Sequence, residues 1–140
     1  MPFSIENIHP LLVHFPIALL SIGLFFDILY RITYNEEFNH TAFWSLATGI
    51  IACLLANISG LFAFLSEGSF TDIIKFKHGL LAWFLTLFFI IIFWFRIKFE
   101  LELKFSNFKK NAFFLLELIM IIVLFYMAHL GAQGEREWLI

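Results

Sequence analysis

Three imidazoles carry the chemistry this chain could do. His14 lies just inside the first long apolar run, His78 opens the third, and His129 closes the last. A chain that crosses a bilayer up, down, up and down brings all three to the same face. Ionisable groups at that depth are costly and are usually functional. A ring nitrogen of histidine is also a common ligand of iron, copper and zinc. His9 stands at the entrance to the first run as a fourth such group.

The elements that must position these groups are helices. Of the 140 residues, 61% are hydrophobic and 14% charged, against about 25% charged in soluble proteins. Four apolar runs, 11–30, 42–65, 79–95 and 112–130, approach or exceed the ~17–25 residues that cross a hydrocarbon core. The segments LFFIIIFWF (87–95) and LELIMIIVLFYM (116–127) are apolar on every face, which excludes a membrane barrel of alternating strands. The expected fold is all-α: an integral membrane four-helix bundle, up-down-up-down, forming one domain over 1–140. Its helices are expected at about 10–31, 42–66, 78–96 and 111–130. Glu6 and the absence of Lys or Arg before the first run argue against a secretion leader, so that run is read as a mature helix.

Lys and Arg in the loops set the expected orientation. Arg31, Arg96, Lys98, Lys104, Lys109 and Lys110 fall on one side; Lys75, Lys77 and Arg136 fall on the other. Both termini, and with them the histidines, are therefore expected on the outer (periplasmic) side of a bacterial inner membrane, in a multi-pass protein surrounded by lipid.

His9-Pro10 reads as a helix start, because proline is tolerated at the first helical position. Pro16 follows His14 closely and should bend the helix where that imidazole projects. On a helical wheel His14 shares its stripe with Leu11, Ala18, Ser21, Phe25 and Ile28, and this stripe is expected to face inward. Asp27 falls nearly opposite. One reading pairs it with Arg31 one turn on; the other joins it to Glu117, at similar depth, in a proton route. Nothing polar bridges the apolar middle between those carboxyls and the histidines, which argues against a continuous proton wire.

Ser45, Gly49 and Cys53, with Ala52, Ala56 and Gly60, form small-residue rows that allow close helix approach in lipid. Asn57 and Ser59 are expected to hydrogen-bond between helices. Glu67, at the histidine level, could orient an imidazole. Gly79 beside His78 leaves room for a bulky group, and Tyr126 shares a helical face with His129. His40 is expected to be exposed in a loop or to cap a helix. The segment 96–110 is expected to lie along the membrane surface.

The opening NIHPLLVHFPIALLSIGLFFDILY, the middle KHGLLAW and the closing AHLGAQG resemble the family known as domain of unknown function 2231, small bacterial membrane proteins with four predicted helices. The resemblance spans nearly the whole chain, and HPLLVHFPIAL is its specific part. It implies that His9, His14, His78 and His129 are the motif histidines and Asp27 the acidic position. Ala132 departs from the pattern, which has a second glycine there. The family supplies no established activity. Some relatives occur beside cytochrome or iron–sulfur modules, which implies electron transfer.

Three readings of the histidines follow. In the first, a b-type haem lies between His14 and His78 as axial ligands. Diagonal helices of a bundle are about 12–14 Å apart, near the span of two imidazoles and an iron. Gly60 and Gly79 would give the porphyrin room, and Tyr126 and His129 would serve a propionate or a nearby quinol. The protein would then be an electron carrier or redox-complex subunit, exchanging electrons between quinol and an outer-face partner. In the second, His14, His78 and His129, with His9 or Glu67, hold copper or zinc. In the third no cofactor is bound, and the chain is a structural or accessory membrane subunit. No CxxCH, HExxH, phosphate loop or placed nucleophile occurs, so no catalytic residue is assigned; the charge gives no support to nucleic-acid binding.

Overall fold

A computed structural model describes residues 5–67, 73–101 and 107–136, with side chains placed at 9, 11–65, 77–98 and 111–130. Four helices account for them: α1 (Ile5–Thr33), α2 (Glu36–Glu67), α3 (Ile73–Leu101) and α4 (Asn107–Arg136). The all-α expectation holds among the described residues. Each helix outlasts its apolar run by a turn or more, since backbone hydrogen bonding continues into polar sequence that hydropathy alone excludes. His40 consequently sits in the second turn of α2, exposed, rather than in a loop, and residues 96–101 and 107–110 belong to α3 and α4 rather than to a surface segment.

The α1–α2 turn shows how such an extension is capped. Tyr34 adopts a left-handed φ of 56°, and its N–H donates to the Tyr30 carbonyl at 2.7 Å, closing α1. Asn35 Oδ1 then accepts from the Glu37 N–H at 3.0 Å, the N-cap arrangement that satisfies an orphan donor. Glu36 and Glu37 occupy the first turn of α2, where carboxylates favour the helix dipole.

The helices form a ring in chain order, with α1 against α2 and α4, and α3 against α2 and α4. Contacts between ring neighbours run antiparallel: His9 meets Ser59, Asn57 meets Thr86, and Arg31 meets Asn111. The α1–α2 interface is the most intimate and α1–α4 the sparsest. Small residues explain the first. A Cβ placed at Gly49 would lie 2.6 Å from Leu20 Cδ2, and one at Gly23 would touch Ser45 and the Leu46 backbone at 3.5 Å. Backbone approach of this kind replaces the hydrophobic effect as the adhesive between helices in lipid.

Leu20, Leu46 and Phe89 are fully buried at the centre, with Leu24, Ile50, Ile92 and Ile121 around them. All four helices are long and apolar enough to cross a membrane, over Leu11–Thr33, Glu36–Leu65, Lys77–Lys98 and Asn111–Leu130. No more than 28% of any span's most apolar stretch is buried inside the protein. Exposed Phe, Leu, Ile and Trp side chains cover the rest, a surface suited to a lipid environment.

Candidate functional site

At one end of the bundle, four helices enclose a cavity of about 40 Å³ lined by His9, Cys53, Asn57, His78, Thr86 and apolar neighbours including Pro16 and Met127. This is room for about three waters, each needing ~10–15 Å³. Asn57 Nδ2 donates to Thr86 Oγ1 at 2.8 Å, and Thr86 Oγ1 donates to the Ala82 carbonyl at 2.9 Å. The first bond ties α2 to α3 across the deep end of the cavity, as expected of Asn57, and the second anchors Thr86 to its own helix.

His9 forms the upper wall. Its Nδ1 lies 3.0 Å from Ser59 Oγ, while Ser59 Oγ lies 2.8 Å from the Ala56 carbonyl. A hydroxyl has one proton, and the carbonyl can only accept it. Where Ser59 gives its one proton to the Ala56 carbonyl, Nδ1 is the donor of the shared bond and Nε2 carries the ring's lone pair. A hydrogen bond to the distal nitrogen that fixes tautomer and orientation is the usual support of a metal-ligating histidine. Gly60 lies against the nitrogen-bearing edge of the ring: a Cβ there would come 2.8 Å from His9 Cε1 and 3.3 Å from each nitrogen. His78 faces the same cavity from α3, with its Nδ1 buried. The Asp27–Arg96 contact between α1 and α3 aligns those helices with an offset that places residue 78 level with residue 9.

The sequence-derived set is thus divided. His9 and His78 come together, whereas His14, His129 and Tyr126 are exposed and lie off the cavity. The expected His14–His78 pair is not formed, and the inward stripe expected for α1 is the outward one: Leu11, Phe25 and Ile28 on it are exposed, while Leu20, Gly23, Leu24 and Asp27 are buried. Gly60 borders the site as a seat for His9. A Cβ at Gly79 would meet nothing within 4 Å, so packing does not require glycine there. Glu67 has a side chain outside the described residues. Among the described residues no three His, Cys, Asp or Glu side chains gather as a metal-ion ligand set.

The two glycines give a direct test of this geometry. Gly60→Ala should push the His9 ring and cost about 1–3 kcal/mol, the usual range for overpacking. Gly79→Ala should change stability by less than about 1 kcal/mol, in the favourable direction, because alanine is the better helix former. Unfolding midpoints in mild detergent measure both, and equal losses would refute the placement of His9.

The opposite end holds a second polar centre, of which spacing in the sequence reveals only part. Arg96 Nη1 and Nη2 donate to the two carboxylate oxygens of Asp27 at 2.6 and 2.8 Å, and Nη2 also donates to Asn39 Oδ1 at 3.0 Å. The ion pair of Asp27 is therefore interhelical, with Arg96. The expected partner, Arg31, donates to Asn111 Oδ1 at 2.8 Å and lies over the Phe114 ring. Glu117, 5% exposed, has Asp27, Arg96 and Arg31 as its charged neighbours. The expected closeness of Asp27 and Glu117 is present. The packed layer of Leu20, Leu24, Leu46, Phe89 and Ile92 separates this centre from the histidine cavity.

Fold and site together define a multi-pass membrane protein, a four-helix bundle with a histidine-lined cavity at one end and a buried ion-pair network at the other. The chain matches the family described as "Predicted membrane protein (DUF2231)" over residues 6–137 and belongs to it. No curated protein and no solved structure matches it significantly.

Proposed function

We propose that the protein is a redox subunit of a bacterial inner membrane, in which His9 and His78 are the ligand pair for a b-type haem. The observation that carries this reading is the setting of His9: its Nδ1 is bonded to Ser59, and Gly60 seats the ring beside a cavity shared with a level histidine from the diagonal helix. Diagonal axes about 12–14 Å apart suit two imidazoles with a metal between them. Haem would supply one-electron chemistry. The chain supplies two nitrogen donors, an apolar surround and a hydrogen bond that strengthens one donor. The excess of Lys and Arg at the Asp27 end favours an outward-facing histidine end.

A cavity of about 40 Å³ is far below the ~300 Å³ at which pockets for larger organic ligands begin. Loading would require the helices to part, and α1–α4 is the interface with the least to lose. This size favours a second reading, a cofactor-free accessory subunit in which Asn57, Ser59 and the histidines hold helices together.

Visible spectra of the purified protein, oxidised and dithionite-reduced, separate the two. The haem reading expects a sharp Soret band that shifts on reduction and is lost in His9→Ala and in His78→Ala, but retained in His14→Ala. A colourless, folded protein from haem-sufficient cells overturns it and leaves the accessory-subunit reading. Copper or zinc in elemental analysis of the same sample would instead point to a metal ion between the two imidazoles.

A further inference from the structure

We propose that the α1–α4 seam is a lipid-side binding site for a quinone or quinol headgroup, with His14 and His129 as its two hydrogen-bonding posts. The choice of quinol rests on the redox reading above; the site itself rests on the geometry that follows.

Three contacts set the register of the seam. Arg31 reaches Asn111 and lies over Phe114, and Asp27 neighbours Glu117. Carried along the antiparallel pair, this register puts residue 14 opposite 128–131. His14 and His129 therefore stand at one height. They also flank the same groove. His129 lies five turns beyond Asn111 on one stripe of α4, the stripe that meets Arg31. His14 lies two turns before Ser21 on α1, and the Ser21 hydroxyl is buried although Ala18, Ile22 and Phe25 beside it are exposed. Ser21 is on the side of α1 turned away from the Gly23 contact with α2, which is the side of the α4 neighbour.

Both histidines are exposed where the span meets its end, His14 three residues inside Leu11 and His129 next to Leu130. An occupant arriving there comes through lipid. It must offer polar atoms to two imidazoles at the membrane boundary and an apolar tail to the groove below, where Ile122 and Phe125 are exposed. A quinol has this form: two ring oxygens that exchange hydrogen bonds with imidazole, and an isoprenoid chain. Behind the seam, Val13 and Ile17 of α1 and Leu124 and Met127 of α4 line the cavity that contains His9 and His78, so a headgroup held here lies one side-chain layer from the proposed ligand pair.

The test is photolabelling of the intact protein in nanodiscs with an azidoquinone, competed by decylubiquinone and mapped by mass spectrometry. Label is expected on the segments containing 14–21 and 122–129. His14→Gln and His129→Gln should each weaken competition roughly tenfold, the equivalent of one lost hydrogen bond of about 1.4 kcal/mol. His40→Gln, at the far end, should leave it unchanged. Label elsewhere in the wild type, equal labelling of all variants, or displacement by phosphatidylglycerol as readily as by decylubiquinone overturns the proposal. A haem spectrum without quinone labelling would sink this site and spare the redox reading; labelling of a colourless protein would do the reverse.

Discussion

Arg96→Ala is expected to lower stability by about 3–5 kcal/mol, the range for removing one partner of a buried ion pair. Asp27 and Arg96 have side chains only 12% and 14% exposed, and Arg96 spends two nitrogens on both carboxylate oxygens while also bonding Asn39. It thereby joins α1, α2 and α3. Without the guanidinium, Asp27 and Glu117 face each other with Arg31 as their remaining charged neighbour. Asp27→Ala is expected to be milder, because Glu117 is beside Arg96 and can take its charge. The double change Asp27→Leu with Arg96→Met should recover much of the loss, as an apolar pair avoids the desolvation cost in full. Thermal unfolding in detergent followed by circular dichroism measures all three. Equal losses from the two single changes would show that Glu117 does not share the arginine.

Phe89→Ala should rank beside it, near the lower end of the ~3–5 kcal/mol known for buried phenylalanine. Phe89 is 0% exposed and packs with Leu20, Leu46 and Ile92 in the layer between the two polar centres. In lipid the transfer contribution shrinks, since acyl chains are as apolar as the core; what remains is the loss of contacts around a void. Phe88→Ala is the matched control. Phe88 is 43% exposed and faces lipid, so its loss should cost less than about 1 kcal/mol. Similar midpoints for the two variants would refute the assignment of Phe89 to the interior.

Legibility differed between elements for identifiable reasons. The four spans followed from run length, and Gly49 and Gly60 were visible as small-residue rows, although only the structure shows that Gly49 admits Leu20 and Gly60 admits the His9 ring. The inward stripe of α1 is not legible in the sequence because Leu11, Ala18, Phe25 and Ile28 are as apolar as Leu20, Gly23 and Leu24 opposite. With little contrast around the wheel, periodicity carries no inward direction, and a histidine at depth supplies none. Arg96 closes an apolar run and so resembles a loop charge; Arg31 offers Asp27 a local i,i+4 partner, and a pairing 69 residues distant leaves no trace in spacing. The sequence signal for His9 is its own motif, HPLLVH, in which the first histidine stands at the entrance to the run.

By itself the sequence determined that the chain has four helices long and apolar enough to cross a membrane and belongs with a family marked by HPLLVHFPIAL. The reason is that hydrocarbon forbids unpaired backbone, so a long apolar run must be helical whatever surrounds it. Only tertiary structure decided that His9 rather than His14 turns toward His78, and that Asp27 is held by Arg96. Those outcomes depend on how each helix is rotated and aligned against its neighbours. Rotation is set by the sum of many weak contacts across α1–α2, none of which can be seen from one helix alone.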